Sequence, residues 1–88
     1  MARKIIYIVH SYYIDDYETY GEQYQAYVHK ENAFKRLQDI KEQDFMPIVD
    51  DRDYDIERNS ETIFEAGYDG EYSRGCVHVS ITKTELLD

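Results

Sequence analysis

The sequence predicts an α+β fold, an antiparallel sheet of about four strands with one helix laid on one face, in the order ββαββ. Three stretches carry this expectation. Lys4-Ile5-Ile6-Tyr7-Ile8-Val9-His10 is the densest apolar run in the chain, and its β-branched and aromatic residues favour a strand. His29–Gln43 contains neither Gly nor Pro and places Ala33, Leu37 and Ile40 at helical spacing, with Phe34 flanking, so one stripe of a helix is apolar. Cys76–Thr84 alternates, with Val77, Val79 and Ile81 on one face and Cys76, His78, Ser80 and Thr82 on the other, which is the period of a strand.

The first strand has large apolar groups on both sides, Ile5, Tyr7 and Val9 against Ile6 and Ile8. Such a strand belongs at the centre of a sheet, covered on at least one side. It is expected to run to about Tyr13 and then enter a long acidic loop through Asp15, Asp16 and Gly21, which are turn formers. Glu22–Val28 alternates, setting Tyr24, Ala26 and Val28 against Gln23, Gln25 and Tyr27, and is expected to pair with the first strand as a hairpin. Within the helix, Glu31 and Lys35 form a favourable i, i+4 pair. His29 stands where Ser or Asp would make a better N-cap.

Pro47 is the only proline, and it is expected to stop the helix. The apolar residues around it would plug the core or form a short edge strand. Residues 50–60 are polar and charge-dense and read as an exposed loop. Glu61–Tyr68 alternates weakly, Asp69-Gly70 is a hairpin signal, and the last strand follows.

Eighty-eight residues make one domain. A chain of this size buries roughly 60–65% of its unfolded surface, so oligomerisation would add stability. The single cysteine, Cys76, excludes an internal disulfide and fits a reducing compartment. The basic start is followed by an apolar run too short for a secretory signal, and no run approaches a membrane span. The expected location is the cytoplasm.

Several patterns resemble sites without completing one. Asp51-x-Asp53-x-Asp55 opens like a calcium loop, but Ile56 stands at the glycine position and Thr62 at the bidentate glutamate position. His78 and Cys76 share a strand face, and His10 would approach them if the first and last strands pair, a cluster conceivable as a zinc or thiol site. The glycines at 67, 70 and 75 lack the loop-into-helix arrangement of a phosphate cradle. No cofactor or metal is expected.

The charge map is the strongest functional signal. Nineteen acids face ten bases, a net of −9, which disfavours nucleic acid and anionic membranes as partners. Residues 10–24 hold four acids and no Lys or Arg, and residues 50–72 hold nine acids against two arginines, so these regions carry −11 and the remainder +2. Ten tyrosines and no tryptophan are present, with tyrosines interleaved among the acids. Tyrosine suits partner surfaces because its ring is apolar and its hydroxyl stays wet. An acidic, aromatic face can present carboxylates roughly where a nucleic acid presents phosphates.

In size, charge and tyrosine content the chain resembles the small acidic phage-encoded anti-defence inhibitors of the anti-CRISPR and anti-restriction kind. That resemblance rests on no motif. It implies a non-enzymatic inhibitor that occupies the nucleic-acid channel of a nuclease or surveillance complex. The expected binding residues are Asp15, Asp16, Glu18 and Glu22 from the first hairpin, and Asp50, Asp51, Asp53, Asp55 and Glu57 after the helix. Tyr12, Tyr13, Tyr17 and Tyr20 would supply contact area. A second reading is an oligomeric binder of a nucleotide signal, using Arg52, Arg58 or Arg74. A third is an enzyme using Cys76, His78 and His10.

Overall fold

In a computed structural model of the chain, which describes residues 3–16, 18–69 and 74–87, the first and last strands form the centre of the sheet. Strands β1 (Arg3–Asp15) and β5 (Arg74–Leu87) pair antiparallel in an unbroken register from Arg3↔Leu87 to Asp15↔Gly75. Strand β2 (Glu18–Tyr27) lies outside β1, while β4 (Ile63–Asp69) lies outside β5 and β3 (Asp55–Asn59) outside β4. The sheet is five-stranded, in the order β2-β1-β5-β4-β3, and each pairing is antiparallel. The α+β class and the antiparallel sheet are as expected, with one strand more.

The additional strand is β3, in the segment read as an exposed loop. All five of its residues are exposed, so no side of it needs apolar residues and the period of a strand does not show. A bulge between Ile56 and Arg58 further interrupts its pairing with β4.

The first hairpin also differs from the expected long loop. Asp15 pairs with Glu18, so the tip is only two residues. Asp16 takes a left-handed backbone, φ 50°, which Asp tolerates better than most residues. Gly21, expected in the loop, is in the strand at φ 59°, where the β1–β2 register shifts. It is a bulge glycine. The β2 alternation holds. Tyr24 and Val28 are exposed, whereas Gln25 and Tyr27 turn towards the helix. Gln25 is satisfied there, because its Oε1 accepts from Arg36 Nε at 2.7 Å and from the Tyr27 hydroxyl at 3.2 Å.

Pro47 does not end the helix. Helix α1 (Lys30–Asp39) continues through a π turn (Ile40–Phe45) into α2 (Met46–Arg52). Two features of the sequence explain this. The buried residues Ala33, Leu37 and Ile40 are followed by Phe45 and Val49, so the apolar repeat contains one step of five. A π turn absorbs the additional residue and keeps Phe45 on the core side. Within it the Met46 N–H reaches the Lys41 carbonyl. Pro47 then sits in the first turn of α2, where its missing N–H is tolerated. The helix lacks a side-chain N-cap at His29, as expected.

The helical layer covers one face. Its core joins Ala33, Leu37, Ile40, Phe45 and Val49 to Val9, Phe64, Ala66, Val77 and Val79. Tyr54 closes one end of this core, and its hydroxyl occupies the space that a Cβ on Gly75 would need. The Asp69-Gly70 turn signal lies partly outside the described residues, but β4 and β5 do pair, to Asp69↔Arg74. No helix is long and apolar enough to cross a membrane among the described residues.

Leu37, 1% exposed, should lose about 2–5 kcal/mol on truncation to alanine, measured by chemical denaturation. A loss below about 1 kcal/mol would contradict this packing. Gly75→Ala should also destabilise, by displacing Tyr54, and Tyr54→Ala in the same chain should relieve part of that clash.

Candidate interaction site

The acidic segments converge at one end of a body 53 Å long. The antiparallel order places the β1–β2 tip beside the start of β5, and the Asp16 N–H donates to the Arg74 carbonyl at 2.8 Å. Helix α2 runs to the same end. Arg52 Nη1 lies 3.9 Å from Asp15 Oδ1, and Arg52 Nε lies 3.9 Å from Asp51 Oδ2. Contacts this long between exposed groups contribute little stability.

Asp50 and Asp51 occupy the last turn of α2, and Asp53 is its left-handed C-cap, φ 55°. The C-terminus of a helix carries partial negative charge, so acids there are locally unfavourable. Asp55 opens β3 and is exposed. A cleft of about 210 Å³ at this end is lined by Asp15, Arg52, Asp53, Tyr54, Tyr68 and Arg74. Around Tyr68 and Arg74 lies a second cleft of about 290 Å³, on the open face of the sheet, where Glu57 and Glu65 meet Tyr12 and Cys76. The acidic end therefore wraps both sides of the sheet.

Not every expected site residue gathers there. Glu22 is on the open face, 3.1 Å from His10 Nε2. The expected tyrosines also separate. Tyr12 points to the open face and stacks on His78, with ring centres 4.8 Å apart. Tyr13 is half-buried on the helix side and hydrogen-bonds with Tyr54, so it holds the fold together. Tyr20 is 48% exposed beside Tyr13 and donates to Glu18 Oε2 at 2.6 Å. Tyr17 lies outside the described residues. The alternation of side chains along β1 sends Tyr12 and Tyr13 to opposite faces.

The pairing of the first and last strands brings His10 and His78 together, with Cys76 further along β5 on the same face. Tyr12 faces His78, Ile14 faces Cys76, and the rings of His10 and His78 lie 5.9 Å apart. His10 is stacked under Tyr24, centres 4.1 Å apart and nearly parallel. His78 is engaged at both nitrogens, by Glu65 at 2.8 Å and by Ser80 at 3.1 Å. Burial, then the charge of Glu65, raises the Cys76 pKa, with Arg74 opposing and Glu57 reinforcing. The shift is in the direction opposite to the one that activates a nucleophilic thiol. Among the described residues, no group of three or more His, Cys, Asp or Glu side chains is placed to hold a metal ion. Asp51, Asp53 and Asp55 are divided between a helix, its cap and a strand.

Tyr54 makes this end sensitive to alkaline pH. Burial and its hydrogen bond with Tyr13 raise its pKa from 10.0 to about 12. The folded state keeps the proton that the unfolded state releases, so this stabilisation is complete below about pH 10 and is lost as pH rises towards about 12. Stability measured by urea unfolding across that window should fall more steeply for the parent than for Tyr54→Phe. Equal slopes would contradict the assignment.

Comparison with known proteins finds no matching family model, no matching curated protein and no matching solved structure.

Proposed function

We propose that this chain is a non-catalytic interaction protein whose acidic end binds the basic, nucleic-acid-binding surface of a partner protein. The single observation that carries this reading is the set of aspartates at the end of α2. Asp50 and Asp51 lie in the last turn of α2 and Asp53 caps it, where the helix dipole disfavours negative charge, and Asp53 lines a cleft with Asp15. A basic partner would offset both the dipole and the mutual repulsion, beyond what Arg52 in the same turn supplies, and this supports the reading.

The partner class follows from charge. A positively charged groove built for phosphates accepts carboxylates in their place, so the chain would act as a mimic that competes with DNA or RNA. A nuclease or surveillance complex is the kind of target implied by the likeness to anti-defence inhibitors. Asp15, Asp16, Glu18, Asp50, Asp51, Asp53 and Asp55 would supply charge, and Tyr20 the exposed ring area.

Binding of a nucleotide-like anion is the second reading, and one observation favours it. Arg52 and Arg74 line the same cleft with two tyrosines. Arg58 does not join them, because it pairs across from Glu65. A rise in melting temperature with nucleotides would favour that reading. The catalytic reading of Cys76 with His78 and His10 is opposed by the raised thiol pKa and by the engagement of both His78 nitrogens.

Asp50→Lys with Asp51→Lys separates folding from binding. The lysines suit the helix C-terminus, so the variant should be as stable as the parent or up to about 1 kcal/mol more so. Its affinity for a partner captured from host extract should fall at least about tenfold, roughly 1.4 kcal/mol. Salt should weaken binding of the parent, mainly through a slower on-rate, and nucleic acid should compete with the chain for the partner. A partner that binds the double variant as well as the parent, in the presence of nucleic acid, would refute the proposal.

A further inference from the structure

We infer that the open face of the sheet is a homodimer interface, on which a second copy of this chain packs face to face about a two-fold axis. The inference is independent of what the acidic end binds. Strand β1 is apolar on both sides, and the helix covers only the side of Val9. On the other side, Ile6, Ile8 and Ile14 of β1 lie in one row, with Ala26 and Thr82 flanking Ile8 and Tyr24 beside His10. Tyr24 remains 65% exposed even though its ring is stacked on His10. A stacked ring offers rigid contact area that loses little entropy on binding.

Charge selects a second copy as the occupant. The chain carries −9, so two copies repel wherever their free acids meet. Among the described residues, the strand positions level with Ile6, Ile8 and His10 on this face are neutral or apolar. Glu22 and Glu65, just beyond, each hydrogen-bond a histidine, at 3.1 and 2.8 Å, so each carboxylate has a partner within its own copy. The face is also self-complementary. Lys4 precedes His10 by as many residues as Asp16 follows it. A two-fold axis near His10 therefore sets Ile6 of one copy over Ile14 of the other and brings Lys4 towards the other copy's acidic tip.

Strands β2, β1 and β5 run together over Ile6–Ile14, whereas β4 and β3 begin only level with His10 and Ser11. Three strands spaced about 4.8 Å, at about 3.3 Å per residue, project to roughly 400 Å². A pleated face has more accessible area than its projection, which brings the pair towards the lower end, about 1,200 Å² in total, of specific interfaces. Aligned packing of two sheets is an established way to bury such faces.

Sedimentation equilibrium of the full chain, from about 1 to about 100 μM, tests the inference. The parent should show twice the chain mass of 10.6 kDa. Ile8→Glu should halve that mass while circular dichroism stays unchanged. If Ile8→Glu does not fold, Thr82→Arg at an exposed position of the same face should give the same result. A parent that remains monomeric at about 100 μM would overturn the inference. So would a dimer that persists in Thr82→Arg, since the interface would then lie elsewhere, as on the β2 edge.

Discussion

The pairing of β1 with β5 is the constraint on which the rest of the structure depends. It joins the two ends of the sequence over the whole length of both strands, from Arg3↔Leu87 to Asp15↔Gly75. Because side chains alternate across a strand, that one register assigns every residue of both strands to a face. Val9, Ser11, Val77 and Val79 go to the helix. His10, Tyr12, Cys76 and His78 go to the open side. A slip of one residue would bury the imidazoles and expose the valines. The other strands extend outward from this pair, so neither flank can be correctly placed until it exists.

The helical layer then decides where the acids go. Had the chain left the helix before Pro47, Asp50, Asp51 and Asp53 would lie in a solvated loop. The π turn instead carries the helix on to Arg52, which delivers these acids beside the β1–β2 tip. One wide turn thus satisfies two demands, keeping Phe45 and Val49 in the core and allowing Pro47 a harmless place. The acidic end is a consequence of core packing, although its segments are distant in the chain. The residues that hold it in place, Tyr13, Tyr54 and Gly75, are themselves largely neutral packing elements.

Where a residue pattern was set by burial of apolar side chains, it was legible in the sequence. The alternation of Val77, Val79 and Ile81, the stripe of Ala33, Leu37 and Ile40, and the two-sided apolar character of β1 all have direct counterparts in the structure. The approach of His10 to His78 followed from that alternation once the first and last strands were paired. Other features were hidden for physical reasons. Strand β3 is exposed throughout and carries no pattern. Gln25 and Tyr27 face inward because a hydrogen bond to Arg36 satisfies the amide, and composition alone places glutamine outside. The helix extension had a signal, the five-residue step from Ile40 to Phe45, but Pro47 outweighed it. For the site, charge density located the acids, and convergence of Asp15 with Asp51 and Asp53 needed the third dimension. The division of Tyr12 from Tyr13 was implicit in the strand period.

Residue-resolved native-state hydrogen exchange tests the central role of the β1–β5 pair most directly. Amides of Val9, Ser11, Val77 and Val79, at the centre of that ladder and under the helix, should be the slowest in the molecule and exchange together through global unfolding. Those of β2 and β3 should exchange earlier, through local opening of the edges. Strong protection of the β1–β2 hairpin while β5 exchanges first would contradict the account, because the hairpin would then be the stable unit and the pairing of the chain's two ends a late addition.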